Sequence, residues 1–432
     1  MSYVNELKSK HGGLTAHIVK TEKFKTVSLI FKMLAPLTKD QVTKRALLPH
    51  VLLRGTKSHP KTAGLRSYLD ELYGTSVSAD LTKKGERHVI TFRLEIPNEK
   101  YLKDQTPLLE KGLQLLAELV FSPALEGDAF QSQYVAQEKR TLKQRIQAVY
   151  DDKMRYSNLR LIQEMCKNDP YALHVNGEID DVDDITAEQL YETYQSAIQK
   201  DQLDLYVVGD VDSNQVQSAI DKYFKTEERT LGMIENNHAD EKVQPKEVID
   251  EEDVKQGKLN IGYRTSITYT DQDYPALQVF NGLFGGFSHS KLFINVREKA
   301  SLAYYAASRI ESFKGLLMVM SGIEVKNFEQ AVSIIAEQFQ AMKNGDFSEQ
   351  DIAQTKAVIR NQVLETIDTA YGLSEFLYQQ AAAQVEIPIE DFLANIENVT
   401  KEDIIKAGEK IQLDTTYFLK GTEVHLDQTN RI

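Results

Sequence analysis

The chain has 432 residues and nine histidines, and the informative ones are those with a second donor at ligand or relay spacing. His174 and Glu178 stand four apart, which on a helix would place both on one face, but Asn176-Gly177 between them reads as a loop. His289 lies between Ser288 and Ser290 beside a Gly-Gly segment, without an evident partner. There is no His-Glu-x-x-His run, and Gly285-Gly286 followed by Lys291 lacks the spacing of a phosphate-binding loop. No nucleophile elbow marks a Ser/His/Asp triad, an option that one sequence leaves open. His50 is the histidine in the most distinctive setting, the largely apolar run Arg45-Ala46-Leu47-Leu48-Pro49-His50-Val51-Leu52-Leu53-Arg54-Gly55-Thr56.

The element that positions His50 is expected to be a buried helix. Thr38-Lys39-Asp40-Gln41 has the spacing of a capping box, the residues from Val42 to Leu53 are mostly apolar, and Gly55 suits a left-handed helix end. Pro49 falls inside this helix and removes one of its hydrogen bonds, at a cost of about 3 kcal/mol if nothing compensates.

Before that helix, residues 25–35 alternate as a strand; after it, 62–73 reads as a helix, and 74–79 and 88–94 read as strands of one sheet. Helices near 104–121 and 127–150, a buried strand Asp204–Val211 and a helix at 213–224 follow. Residues 226–257 are acidic, with few large apolar side chains, and read as a linker. The order then recurs: strand 258–267, helices 273–285 and 288–299, strands 303–310 and 316–325, helices 327–343 and 348–368. Ala136-Gln137-Glu138-Lys139 with Ile146 matches Ala353-Gln354-Thr355-Lys356 with Val363 at one constant offset, as a duplicated unit would. Helices and strands mix without regular βαβ alternation, so the fold class is α+β. The expected domains are 1–228 and 257–432, joined by a linker at 229–256.

Composition bounds the partners. A net charge of −13 without a Lys/Arg cluster argues against nucleic acid and tolerates a basic peptide. The one cysteine, Cys166, allows no internal disulfide and fits a reducing compartment. With no apolar leader in residues 1–20 and no run of 18 apolar residues, the expectation is a cytoplasmic chain without a membrane span.

Several motifs together resemble the pitrilysin/insulinase family of zinc peptidases, which includes the mitochondrial processing peptidases. They are His-x-Leu-x-x-Gly-Thr at 50–56, Asp169-Pro170-Tyr171-Ala172 with Gly177 and Ile185-Thr186, and Gly209-Asp210-Val211. The most specific run is Asn281-Gly282-Leu283-Phe284-Gly285-Gly286, then Ser290-Lys291-Leu292-Phe293, then Val296-Arg297-Glu298-Lys299 leading to Leu302-Ala303-Tyr304. The likeness covers nearly the whole chain and implies two homologous α+β domains folded as a clamshell.

The resemblance also implies that the metal site is degenerate. On the family's His-x-x-Glu-His motif, the first histidine falls on Ala46, the general base on Pro49, and only His50 is kept. The third ligand, a Glu seven residues after another Glu, falls on Arg145, with Glu138 at the earlier position. One imidazole does not hold zinc, and a guanidinium does not ligate. The chain itself is therefore expected to carry no cofactor. What the likeness keeps is Arg297 and Tyr304, which match the second-domain pair that closes over substrate in active relatives, and Gly285 and Gly286 at a peptide-binding segment. The implied function is a zinc-less subunit that pairs with a zinc-bearing homologue, or with itself, to hydrolyse peptides. A stand-alone peptide-binding or structural pseudoenzyme is the alternative.

Overall fold

A computed structural model describes residues 3–103, 106–229 and 244–421. The first half runs β1 (Glu6–His11), β2 (Leu14–Lys20), β3 (Thr26–Pro36), α1 (Lys39–Leu52), α2 (Thr62–Glu71), β4 (Ser76–Lys84), β5 (Arg87–Pro97) and α3 (Leu108–Phe121). It continues through the short hairpin β6 (Leu125–Glu126) and β7 (Ala129–Phe130), then α4 (Ser132–Asp151), α5 (Lys153–Met165), α6 (Ala187–Lys200), β8 (Gln202–Gly209) and α7 (Ser213–Tyr223). The second half runs β9 (Lys246–Glu252), β10 (Gly257–Arg264), α8 (Tyr274–Asn281), β11 (Ala303–Glu311), β12 (Leu316–Ile323), α9 (Phe328–Lys343) and α10 (Glu349–Ile367). It ends with α11 (Ala370–Ala383), α12 (Ile389–Asn398), α13 (Lys401–Lys410) and β13 (Gln412–Gly421). The fold is α+β.

Each half contributes a sheet of the same design. The first has the order β1-β2-β8-β3-β5-β4 and the second β11-β12-β10-β13-β9. Read from the β4 and β11 edges, both run antiparallel as far as a parallel pair, β8 with β2 and β13 with β9; the second sheet ends there, and the first adds β1 antiparallel to β2. β3 was expected to alternate; instead Val27 to Ala35 are all buried, because a central strand covered on both faces has no solvent side.

In space the chain divides into two compact units that are not a single cut of the sequence. One comprises Met1–Gln147, Leu173–Glu235 and Thr366–Ala382, the other Ala148–Ala172, Asn236–Glu365 and Ala383–Ile432. The physical cause is a reciprocal exchange of helices. α5 brings Leu161, Ile162 and Met165 into an apolar cluster with Leu316, Met318, Tyr417 and Leu419 of the second sheet. Cys166 is buried in that cluster, and burial pushes its thiol up to about 11. α11 returns to the first sheet, where Glu375 accepts from Lys32 Nζ at 2.5 Å. Lys32 is 1% exposed; it also donates to Thr91 at 3.1 Å and lies 4.4 Å above the Tyr378 ring. In each unit a sheet arginine reaches a carbonyl at or next to the end of the exchanged helix, Arg87 to Ala382 and Arg264 to Met165, and these two acceptors are related by the offset that relates Ala136 to Ala353.

Of the expected linker, residues 230–243 lie outside the described residues, and Lys246–Glu252 form the exposed edge strand β9. The helix expected from 104 starts at Leu108, with 104–105 outside the described residues. The helix expected over 273–285 widens after Asn281 into a π turn, Gly282–Gly286, and that over 288–299 is a π helix at Phe293–Lys299. Among the described residues, no helix is long and apolar enough to cross a membrane.

Candidate functional site

α1 is buried along most of its length: among others, Val42, Ala46, Leu47, Leu48, Pro49, Val51 and Leu52 are all withdrawn from solvent. It starts after Thr38 as expected, but the capping box does not form. Thr38 makes no side-chain cap, and the Gln41 amide donates to Asp40 at 2.9 Å. Pro49 is accommodated without breaking the helix, and Leu53 N still bonds the Pro49 carbonyl at 3.1 Å. The helix stops at Leu52, and Gly55 is not left-handed. A Cβ at Gly55 would lie 2.8 Å from the His59 carbonyl oxygen, so glycine is needed there for close backbone approach.

His50 is half-buried on this helix, and one turn later Arg54 follows. The Arg54 guanidinium grips a single carboxylate oxygen of Glu138 on α4, with Nε at 2.6 Å and Nη2 also in contact. Arg145, two turns beyond Glu138, is near enough for its charge to act on His50. Burial first, and then the charges of Arg145 and Arg54, lower the His50 imidazole to about 4, so it is neutral at ordinary pH. Arg145 has no ion pair among the described residues, and its Nη1 is shut off from solvent without a hydrogen-bond partner.

These residues do not fit zinc. Ala46 and Pro49 offer no donor, Glu138 is committed to Arg54, and Arg145 places a fixed positive charge near enough to act on the one imidazole. Among the described residues, no group of three or more His, Cys, Asp or Glu side chains is arranged to hold a metal ion. The Arg54–Glu138 pairing was not anticipated. Arg54 lies just past the end of α1, and nothing local in the sequence marks its pairing with Glu138.

The second unit holds the remaining candidates. Arg297 is exposed on the π helix Phe293–Lys299, with its guanidinium carbon 4.6 Å from the Phe293 ring centre and no ion pair among the described residues. Tyr304 is on β11, an edge strand whose register with β12 shifts between Ala303 and Ala306. It is 79% exposed. Gly285 is buried, and a Cβ there would come within 2.6 Å of Ser308 Oγ and 2.8 Å of Ser308 N, so packing against β11 accounts for that glycine. Gly286 is half-buried, and a Cβ there would approach the Asn281 amide nitrogen to 2.9 Å.

Two other histidines are placed by structure. His289, expected to lack a partner, bonds the buried Thr355 hydroxyl at 2.8 Å. Thr355 occupies in α10 the place that Glu138 holds in α4. His174 lies in the expected loop, its Nδ1 accepting from Asn176 N at 3.2 Å, and burial lowers it to about 4. Gly177 has φ +74° and sits where a Cβ would be 2.1 Å from Thr43 Oγ1, so only glycine fits.

The chain thus has two like-patterned α+β units and, in the first, a buried helix whose neighbourhood does not fit a metal among the described residues. Comparison with known proteins agrees. Residues 184–359 match the family described as "Peptidase M16 inactive domain". The chain is 22% identical over 418 residues to the antilisterial bacteriocin subtilosin biosynthesis protein AlbE of Bacillus subtilis, covering 94% of this chain and all of that one. An uncharacterized zinc protease of Streptomyces coelicolor is 23% identical over 83% of this chain and 75% of its own. Among solved structures, a conserved protein from Enterococcus faecalis superposes with a TM-score of 0.89 at 33% identity, over 97% of this chain and 99% of that chain. A peptidase M16 inactive domain from Pseudomonas fluorescens shares the fold, with a TM-score of 0.79 at 16% identity over 97% of this chain and 98% of its own. The chain belongs to the pitrilysin family of peptidases, as a member without the zinc motif.

Proposed function

We propose that this chain is the zinc-less subunit of a heteromeric pitrilysin-like peptidase, supplying Arg297 and Tyr304 to a site whose zinc belongs to a homologous partner. The observation that carries this reading is Tyr304. A tyrosine ring is costly to leave in water, yet this one is 79% exposed, at the irregular end of an edge strand. Arg297 is likewise exposed and unpaired among the described residues, held only over Phe293. A guanidinium and a phenol without internal partners suit a substrate carbonyl and the oxyanion that develops from it, where one donor is worth about 3–4 kcal/mol. Gly286, half-buried near the same turn, is the candidate for backbone contact with an extended peptide.

In this reading Ala46, Pro49, His50 and Arg145 are the vestige of the metal motif, and the units descend from one duplicated domain whose sequence copies are 1–228 and 257–432. The buried, lone Cys166 supports a reducing, cytoplasmic setting. Native mass spectrometry of the complex purified from its source tests the assembly. A one-to-one particle with a zinc-bearing homologue is expected. A monomer or a homodimer alone would favour the second reading, a pseudoenzyme that binds peptides without cleaving them.

A further inference from the structure

The sequence left open a Ser/His/Asp relay without the strand-to-helix turn that usually presents one. The first unit contains such a relay on an ordinary β-strand. Ser9 and His11 are two apart on β1, so both side chains project from one face of the strand. Ser9 Oγ lies 2.8 Å from His11 Nε2, and His11 Nδ1 lies 2.6 Å from Asp221 Oδ1 on α7. A carboxylate only accepts, so in the neutral imidazole the proton is on Nδ1 and the Nε2 lone pair faces the serine hydroxyl. The backbone holds this arrangement. β1 turns into β2 through Gly12-Gly13, where Gly12 has φ +62° and a Cβ would overlap the Thr226 carbonyl oxygen. Thr226 Oγ1 donates to the His11 carbonyl at 2.8 Å and accepts from Gly13 N at 3.0 Å, which pins the histidine from just beyond α7.

We propose that Ser9 is a nucleophile activated by His11, and that this site cleaves carboxylic esters of small acyl groups. Both links that a relay needs are present, nucleophile to base and base to orienting group. The His11 side chain is 8% exposed, which keeps water from competing for its nitrogens, while Ser9 is half-buried on the edge strand of its sheet, within reach of a small reactant. A two-residue turn closes on a hydrogen-bonded pair, here His11 with Leu14, so alternation along β1 turns the Lys10 N–H outward beside Ser9. That N–H, on the residue after the nucleophile, is placed to meet an oxyanion. An open strand edge has no walls to hold a large acyl group or an amine leaving group, so the substrates are small esters and not peptides. Ser9 Oγ attacks the ester carbonyl carbon and its proton passes to His11 Nε2. The tetrahedral oxyanion then collapses, the bond to the alkoxide breaks, and Nε2 returns the proton to the departing alcohol. Water, deprotonated by His11, hydrolyses the acyl-serine to the acid and restores Ser9. The relay lies wholly in the first unit and shares no residue with Arg297 and Tyr304, so its failure and that of the split-site reading are separable.

The test uses the full chain and two probes, diisopropyl fluorophosphate and p-nitrophenyl acetate. The expected result is a single phosphoryl adduct on the folded chain, placed on Ser9 by peptide mass spectrometry and absent when the label is offered in urea. Turnover of the acetate should accompany it and fall to background in Ser9→Ala. His11→Gln should lower labelling and turnover by about 100-fold or more, as loss of a positioned general base does. Asp221 is a positioning residue whose side chain is 69% exposed. Asp221→Asn should therefore lower kcat at unchanged KM, by much less than the roughly 10⁴-fold that a buried triad aspartate contributes. Should His11→Gln not fold, the parent chain and Ser9→Ala still decide the matter. No adduct on the folded parent, an adduct on another residue, or full labelling of Ser9 in a folded His11→Gln would overturn the proposal. So would turnover undiminished in Ser9→Ala, and the three groups would then be only a tie between the hairpin and α7.

Discussion

Replacing Glu375 by Gln should cost the first unit much of its stability, because it strands a buried lysine. Lys32 lies in the middle of the central strand β3, 1% exposed, and Glu375 on α11 is its one anionic hydrogen-bond partner among the described residues. Removing one member of a buried pair typically costs about 3–5 kcal/mol. The Glu375 side chain is itself 21% exposed, and Lys32 keeps Thr91 and the face of Tyr378, so the lower end, about 3 kcal/mol, is expected. For a unit of this size that is a fall of roughly 6–12 °C in Tm. Urea unfolding followed by circular dichroism, with calorimetry to separate the units, measures it. Burial already holds Lys32 below its ordinary value against the pull of Glu375, and without Glu375 it falls further. The unfolded chain then binds the proton more tightly than the folded one, so the variant's deficit should shrink as pH rises from 7 toward 10. The double change Lys32→Met with Glu375→Leu should lie within about 1 kcal/mol of the parent, since the charge penalty goes with the charge. A loss below about 0.5 kcal/mol in Glu375→Gln would refute the view that this ion pair holds α11 on the sheet.

Three further outcomes are expected. His88 is fully buried and held down to about 3, by burial first and then by Arg45, while His50 and His174 sit near 4. Below pH 6.5 the unfolded chain takes up protons that the folded chain refuses, so stability should fall with pH by up to about 1.4 kcal/mol per unit for each such group, and His88→Gln should remove one group's share of that slope. For His17 burial is outweighed by bonds to Asp204 and Glu6, its pKa is raised, and its contribution is lost instead as pH rises above 6.5. Gly177→Ala should destabilise by about 2–4 kcal/mol in denaturant melts, from the left-handed φ of +74° and the clash with Thr43. The triple change Ala46→His, Pro49→Glu, Arg145→Glu should bind about one zinc per chain by elemental analysis; a folded triple variant without zinc would show that Arg145 is not at the third ligand position.

Much of the element order was legible because apolar periodicity is a local property, although β1, β2, α5, α6, α11, α12, α13 and β13 were not read. The duplication was legible in Ala136–Lys139 against Ala353–Lys356. What escaped reading is whatever depends on distant contacts. Nothing local to Lys153–Met165 or Ala370–Ala383 says that these helices pack on the sheet of the other sequence half. The π geometry at Gly282–Gly286 and Phe293–Lys299 differs from α only in its hydrogen-bond register, and helix-like patterning cannot tell them apart. In the candidate site the absences could be read at Ala46 and Pro49, since residue type alone decides them. The commitment of Glu138 to Arg54, and the dry, unbonded nitrogen of Arg145, are facts of three-dimensional pairing.

The central claim is that Arg297 and Tyr304 work on a substrate bound at another chain's metal. The direct measurement is peptide turnover by the reconstituted complex with a zinc-bearing homologue, comparing the parent chain with Arg297→Ala, Tyr304→Phe and both together. Each change should leave assembly intact, because neither side chain supports a core, and each should lower turnover by about 100-fold or more. The double change should cost less than the product of the two, as residues serving one transition state do. Full turnover by an assembled double variant would contradict the account.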